Sequence, residues 1–341
     1  MRRVLIIYTG GTIGMVNDPV SGALVPFDFE NINRNVPELQ RFDFSVSTVS
    51  FSPLIDSSAI ETSIWIQIAE VIEKNYQEYD GFVILHGTDT MAFTASALSF
   101  MLHNLSKPVI LTGSQLPLGK IRTDGKENFL TALEIAAAQI DGVAVVPEVC
   151  IYFQDFLYRG NRTTKFNAEN FRAFSSYNYP PLAEAGVRIK YNFPFIIQNK
   201  NIKLPFQIVK NMDVNIALLK LFPGIKPSLV ESILNAPDIK AVVLETYGTG
   251  NAPTYKWFLD ALKKANDRGI ILLNVSQCLA GSVEMQRYET GIHLIEAGVK
   301  SGFDITTEAA ITKLMYLLGN CSSKDEIIEG LNKSLKGEIN P

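Results

Sequence analysis

One repeated pattern constrains this chain more than any other feature: a short apolar run, a polar turn containing glycine, then a stretch with helical spacing. Val4-Leu5-Ile6-Ile7 breaks into Thr9-Gly10-Gly11-Thr12. Phe82-Val83-Ile84-Leu85-His86 breaks into Gly87-Thr88-Asp89-Thr90, followed by helical spacing through Ala92 to Leu98, with Asp89 or Thr90 as its N-cap. Pro108-Val109-Ile110-Leu111 breaks into Thr112-Gly113-Ser114-Gln115, ahead of a helix over Asn128 to Gln139. A strand with one wet face alternates apolar and polar residues; these runs are apolar throughout, so both faces are buried. Such units build a parallel sheet flanked by helices. Ligands of open α/β sheets bind outside the carboxyl ends of the strands, which is where these turns fall.

The rest of the chain fits an α/β class with two parts. Asn17 to Phe29 is a polar loop bearing Gly and Pro, Ser45–Val49 alternates like a strand, and Glu61 to Glu73 has helical spacing. Cys150–Phe153 adds a strand and leads to the arginine-rich Tyr158–Lys165. Periodicity fades over residues 186–212 and resumes in Asn215–Leu221, Ala241–Leu244 (ending in Thr246–Asn251) and Ile270–Leu273 (ending in Asn274–Cys278). Two amphipathic helices, about Thr307–Leu318 and Lys324–Leu335, close the chain. At 341 residues one core is too small a unit. The expectation is a larger N-terminal domain over 1–187 with a mostly parallel sheet, a linker over 188–212, and a smaller C-terminal α/β domain over 213–341.

Charge narrows the function. The net charge is −4, from 31 basic and 35 acidic residues without a basic run, which gives no footing for nucleic acid or an anionic membrane. No segment is long enough to span a bilayer, and the four apolar residues after Met1-Arg2-Arg3 are too few for a signal peptide, so the cytoplasm is expected. Cys150, Cys278 and Cys321 stand at unrelated spacings and His86, His103 and His293 do not cluster, so neither a metal nor a cofactor is expected.

The turns gather Thr12, Ser57, Thr88, Asp89 and Ser114, with Lys165 arriving from the arginine-rich stretch. A threonine hydroxyl at a strand end can be a nucleophile, a phosphate contact or a plain turn residue. As a nucleophile it needs a base. His86, on an apolar strand, reads as a satisfied core residue, which leaves Lys165 as the candidate proton acceptor, against the simpler reading of a solvated loop lysine. Gly10-Gly11-Thr12-Ile13-Gly14 lacks the glycine spacing of a dinucleotide-binding oxidoreductase.

Tyr8-Thr9-Gly10-Gly11-Thr12-Ile13-Gly14 and His86-Gly87-Thr88-Asp89-Thr90-Met91-Ala92 together resemble the two signature motifs of the asparaginase/glutaminase family. Asp56-Ser57-Ser58, Thr112–Pro117, Tyr158–Lys165 and Tyr247–Pro253 add four more matches in order, and over its whole length the chain looks like the bacterial cytoplasmic type I L-asparaginases. The resemblance implies that Thr12 attacks the side-chain amide carbon of L-asparagine to form an acyl-enzyme. It implies that Thr88, Asp89 and Lys165 handle protons, and that amides near Gly11 and Thr88 hold the oxyanion. It further assigns Ser57 to the substrate α-carboxylate, Asp89 to its α-ammonium, and Asp56 and Ser114 to the pocket. It also implies a homo-oligomer, a dimer or dimer of dimers, in which Asn251 reaches a neighbouring subunit's site. Two departures stand out. The stretch Gly22–Phe27 lacks the family's loop tyrosine, for which Tyr288 is the candidate substitute, and Glu245 stands where some members carry an arginine that binds allosteric asparagine. A broader glutaminase-asparaginase and a non-catalytic amino-acid sensor are the alternatives. An amidotransferase-associated amidase is disfavoured because the first motif begins by residue 9.

Overall fold

The computed structural model describes residues 1–17, 24–26, 36–197 and 204–341. Its contacts divide the chain into two units, Met1–Lys210 and Asn211–Pro341. In the first unit, eight strands form one sheet: β1 (Arg3–Tyr8), β2 (Ser45–Ser50), β3 (Gly81–Leu85), β4 (Val109–Thr112), β5 (Val149–Phe153), β6 (Phe156–Arg159), β7 (Ala183–Ala185) and β8 (Ile189–Tyr191). Their spatial order is β8-β7-β6-β5-β4-β3-β1-β2. Pairing is parallel from β2 through β5 and antiparallel from β5 to β8.

This order locates the site. The chain leaves β1 for β2 on one side, then crosses to β3 on the other, so the winding reverses at β1 and a crevice opens between the ends of β1 and β3. Register sharpens the point. Tyr8 pairs with both Ser50 and Leu85, and Leu85 with Thr112, so four strands end at one level. Their turns therefore share one rim.

Helix α1 (Thr62–Asn75) turns Trp65, Ile68, Ala69 and Ile72 inward at helical spacing. Helix α2 (Met91–Met101) is buried almost all round, and α3 (Gly125–Ala137) buries Phe129, Ala132, Leu133 and Ala136 against the sheet. The stretch read as a linker carries two short strands. Ile189–Tyr191 closes the large sheet, and Gln207–Ile208 pairs with Leu102–His103, so its pairing belongs to the first unit. The loop Asn17 to Phe29, including the place of the missing tyrosine, lies largely outside the described residues.

The second unit is a four-stranded parallel sheet in sequence order: β9 (Ile216–Lys220), β10 (Ala241–Thr246), β11 (Ile271–Ser276) and β12 (Lys300–Ser301). Helices α4 (Pro227–Leu234), α5 (Lys256–Asp267), α6 (Glu289–Glu296), α7 (Thr307–Asn320) and α8 (Lys324–Leu331) complete it. Two strands run past their expected ends because Glu245, Thr246 and Asn274 are buried with hydrogen-bonded side chains. The last helix ends four residues early, where Glu338 folds back to accept from the Leu335 and Lys336 amides.

Candidate active site

The β1 and β3 turns meet backbone to backbone. A Cβ on Gly11 would lie 2.5 Å from the Gly87 nitrogen, and one on Gly87 would lie 2.4 Å from Ser57 Oγ, so no larger residue fits at either place. Thr12 opens a 3₁₀ turn, Thr12–Gly14, beneath which the buried Tyr8 hydroxyl donates to Gly14 O at 3.0 Å. Burial pushes the Tyr8 phenol up to about 12, so it stays a donor. The Thr12 side chain is exposed, and its hydroxyl has no partner among the described residues. The backbone N–H groups of Gly11, Thr12 and Thr88 likewise donate to no acceptor among the described residues. An exposed hydroxyl and three donors without an acceptor among the described residues thus share one rim.

Beside them, Lys165 Nζ donates to Thr88 Oγ1 at 2.8 Å and to Asp89 Oδ1 at 2.7 Å. Lys165 is not in a solvated loop. It lies in the two-residue strand Thr164–Lys165, which pairs with Phe174–Ser175, and its side chain is only 17% exposed. The arginines before it are internal too: Arg159 donates to the buried Glu148 at 2.6 Å and stacks over the Tyr179 ring. Thr90 is the N-cap residue of α2, but its hydroxyl caps nothing; it donates to Ser57 O at 2.6 Å and ties the β2 and β3 turns together.

Gln115 is a site residue that motif reading passed over. Its Nε2 donates to Ala168 O and Asn170 O at 3.0 and 3.1 Å, which leaves Oε1 facing Thr88 Oγ1 at 3.5 Å. Its backbone, with that of Leu116, donates to the Asp124 carboxylate.

His86 is a satisfied core residue, fully buried between Gly87 O and Thr94 Oγ1 at 2.7 and 2.9 Å. Desolvation pulls its imidazole down to about 4 from the ordinary 6.5. Between those values the unfolded chain binds a proton that the folded chain refuses, so stability rises with pH there. This contribution is complete above about pH 6.5 and falls by roughly 3 kcal/mol on acidification to pH 4. Urea unfolding of wild type and His86→Gln across this range should show a flatter profile for the variant; parallel profiles would remove His86 as the cause.

The remaining expected residues divide. Asp56 caps the 3₁₀ turn Ser57–Ala59, and the Ser58 backbone and hydroxyl bonds to its Oδ1 hold its carboxyl below the usual range. The buried Ser57 hydroxyl has no partner among the described residues, whereas the Ser114 hydroxyl donates to Leu116 O at 2.6 Å. Asn251 and Tyr288 belong to the second unit. The turn Tyr247–Asn251 closes on itself, and Asn251 Oδ1 accepts from Thr290 Oγ1 at 2.6 Å. Tyr288 is the N-cap residue of α6, which starts at Glu289, and its ring is half exposed. Glu245 takes Thr307 Oγ1 at 2.7 Å and Lys220 Nζ at 3.0 Å, so its carboxylate is already occupied. No described helix is long and apolar enough to cross a membrane.

Residues 3–196 match the family model described as "Asparaginase, N-terminal", and residues 215–330 match "Glutaminase/Asparaginase C-terminal domain". L-asparaginase 1 of Escherichia coli (strain K12) is 44% identical over 100% of this chain and 98% of its own length. A Mus musculus protein named 60 kDa lysophospholipase is 43% identical over 99% of this chain, which spans 62% of it. The crystal structure of L-asparaginase I from Vibrio cholerae superposes with a TM-score of 0.88 at 40% identity, covering 100% of this chain and 99% of that one.

Proposed function

The chain belongs to the asparaginase/glutaminase family, and we propose that it hydrolyses L-asparagine to L-aspartate and ammonia through an ester on Thr12. The observation that carries this reading is the pairing of an exposed Thr12 hydroxyl, without a partner among the described residues, with amides equally without acceptors there on the same rim, beside the Lys165–Thr88–Asp89 cluster. Thr12 Oγ attacks the side-chain amide carbon, and its proton passes to the amide nitrogen, which can then leave as ammonia. The developing oxyanion sits on backbone N–H groups near Gly11 and Thr88, each such donor commonly contributing roughly 3–4 kcal/mol. Collapse expels ammonia and leaves the aspartyl ester. Water then attacks the ester, its proton passing through Thr88 to Lys165 in its neutral form and on to the departing Thr12 oxygen, which restores the hydroxyl.

Substrate selection follows from what remains unoccupied. The free Ser57 hydroxyl suits the α-carboxylate. The second oxygen of Asp89, on a side chain 63% exposed, suits the α-ammonium. In Asn251, Oδ1 is taken by Thr290, so only Nδ2 is left to donate, which suits an oxygen of the substrate. We place Asn251 at a neighbouring subunit's site in a homodimer or dimer of dimers. Supporting this, α6 leaves Tyr288, Ile292 and Ile295 exposed along one face. Three cysteines without disulfides fit a cytoplasmic enzyme.

Tyr288 would replace the missing loop tyrosine as the hydroxyl that orients Thr12. Its hydroxyl has no side-chain or backbone partner among the described residues, so it is free for that role. Tyr288→Phe removes one oxygen and is expected to lower kcat roughly a hundredfold, ~2.7 kcal/mol, with unchanged circular dichroism. Retention of more than about a third of kcat would exclude the role. The reading as a whole is tested by ammonia release from L-asparagine and L-glutamine. Preference for asparagine is expected, because one extra methylene costs roughly 1–3 kcal/mol in a tight pocket. No release from either amide would refute it.

A further inference from the structure

We infer that Trp65, Thr94 and His86 form a one-way hydrogen-bond relay whose task is to orient and polarise the Thr88 amide as an oxyanion donor. The proposal rests on the amidohydrolase reading for what the amide does.

Its direction is fixed by chemistry. An indole N–H can only donate, so Trp65 Nε1, 3.0 Å from Thr94 Oγ1, gives its proton to that oxygen. The Thr94 hydroxyl then directs its own proton elsewhere, and His86 Nε2 lies 2.9 Å away. With Nε2 accepting, the neutral imidazole carries its proton on Nδ1 and donates to Gly87 O at 2.7 Å. The three side chains come from α1, α2 and the end of β3, and Thr94 and His86 are wholly buried, so water cannot compete with any link.

The relay ends on the peptide group whose other end is the Thr88 N–H. That peptide is trans, since the described chain has its one cis bond at Ser52-Pro53. In a trans peptide C=O and N–H point opposite ways. Holding Gly87 O inward against His86 therefore turns the Thr88 N–H outward, and this N–H has no acceptor among the described residues. A hydrogen bond to the carbonyl also draws electron density from the same amide, and a chain of such bonds polarises cooperatively. Gly87 gives the turn no side chain that could fix the plane by packing. His86 is thus a positioning residue, acting on the reaction through a backbone group that it orients.

The test pairs two variants with one spectrum. Thr94→Val keeps the shape and removes the hydroxyl, whereas Thr94→Ser keeps the hydroxyl. The relay predicts at least a tenfold loss of kcat for Thr94→Val with KM for asparagine changed less than about twofold, and recovery of at least half of kcat in Thr94→Ser. Loss of fold alone would move both variants with their melting temperatures and would not split kcat from KM. In parallel, ¹⁵N spectra of the wild-type protein, which has only three histidines, report the His86 tautomer without any assay of activity. Nδ1–H is expected. An Nε2–H tautomer, or equal kcat in the two Thr94 variants, overturns the relay. An inactive wild type with the Nδ1–H tautomer would instead overturn the amidohydrolase reading and leave the relay standing.

Discussion

Replacing Thr12 by alanine is expected to lower kcat at least about a thousandfold, ~4 kcal/mol, while aspartate still binds within about threefold of wild type. The change removes an exposed oxygen that makes no hydrogen bond to a described residue, so it breaks no internal contact that could disturb the fold. Tyr8, Gly14 and the Gly11–Gly87 contact that shape the turn are untouched. Ser57 and Asp89, the residues proposed to hold the amino-acid end, sit on other strand-end turns. Steady-state kinetics with aspartate binding measured by calorimetry separates the two effects. Residual kcat above about a thousandth of wild type would move the nucleophile's role to Thr88.

The second large effect is expected at Lys165. One side-chain nitrogen here serves two oxygens, Thr88 Oγ1 at 2.8 Å and Asp89 Oδ1 at 2.7 Å. Lys165→Met keeps the stem and deletes both bonds. It should cost roughly a thousandfold in kcat, since proton transfer and the placement of Thr88 fail together. Lys165→Arg should not restore activity, because a planar, permanently charged fork neither gives up a proton nor matches a point donor. Thermal stability should change little, as Asp89 is largely exposed and can rehydrate. Recovery of even a tenth of kcat in Lys165→Arg would show that charge alone, and not proton transfer, is the requirement.

The strand-end turns were legible in the sequence because each follows an apolar run cut short by a glycine. The pattern predicts where Thr12 and Thr88 stand in the fold without any knowledge of their partners. What spans the sheet was less legible. The residues alone left Lys165 between a proton acceptor and a solvated loop lysine, and only the family resemblance joined it to Asp89, 76 positions away. Gln115, which reaches carbonyls 53 and 55 positions downstream, was missed. No local period marks such residues, since their role exists only after the turns are assembled. Buried polar residues misled in the same direction. Glu245 and Asn274 look like strand-ending polar residues, but internal hydrogen bonds carry their strands further.

Attack by Thr12 leaves a covalent intermediate that can be trapped. The enzyme is mixed with excess L-asparagine, quenched in acid during turnover, digested and mapped by mass spectrometry. An aspartyl ester is expected on the peptide containing Thr12, absent from Thr12→Ala. An ester on the peptide containing Thr88, or ammonia released at the full rate by Thr12→Ala, would contradict it.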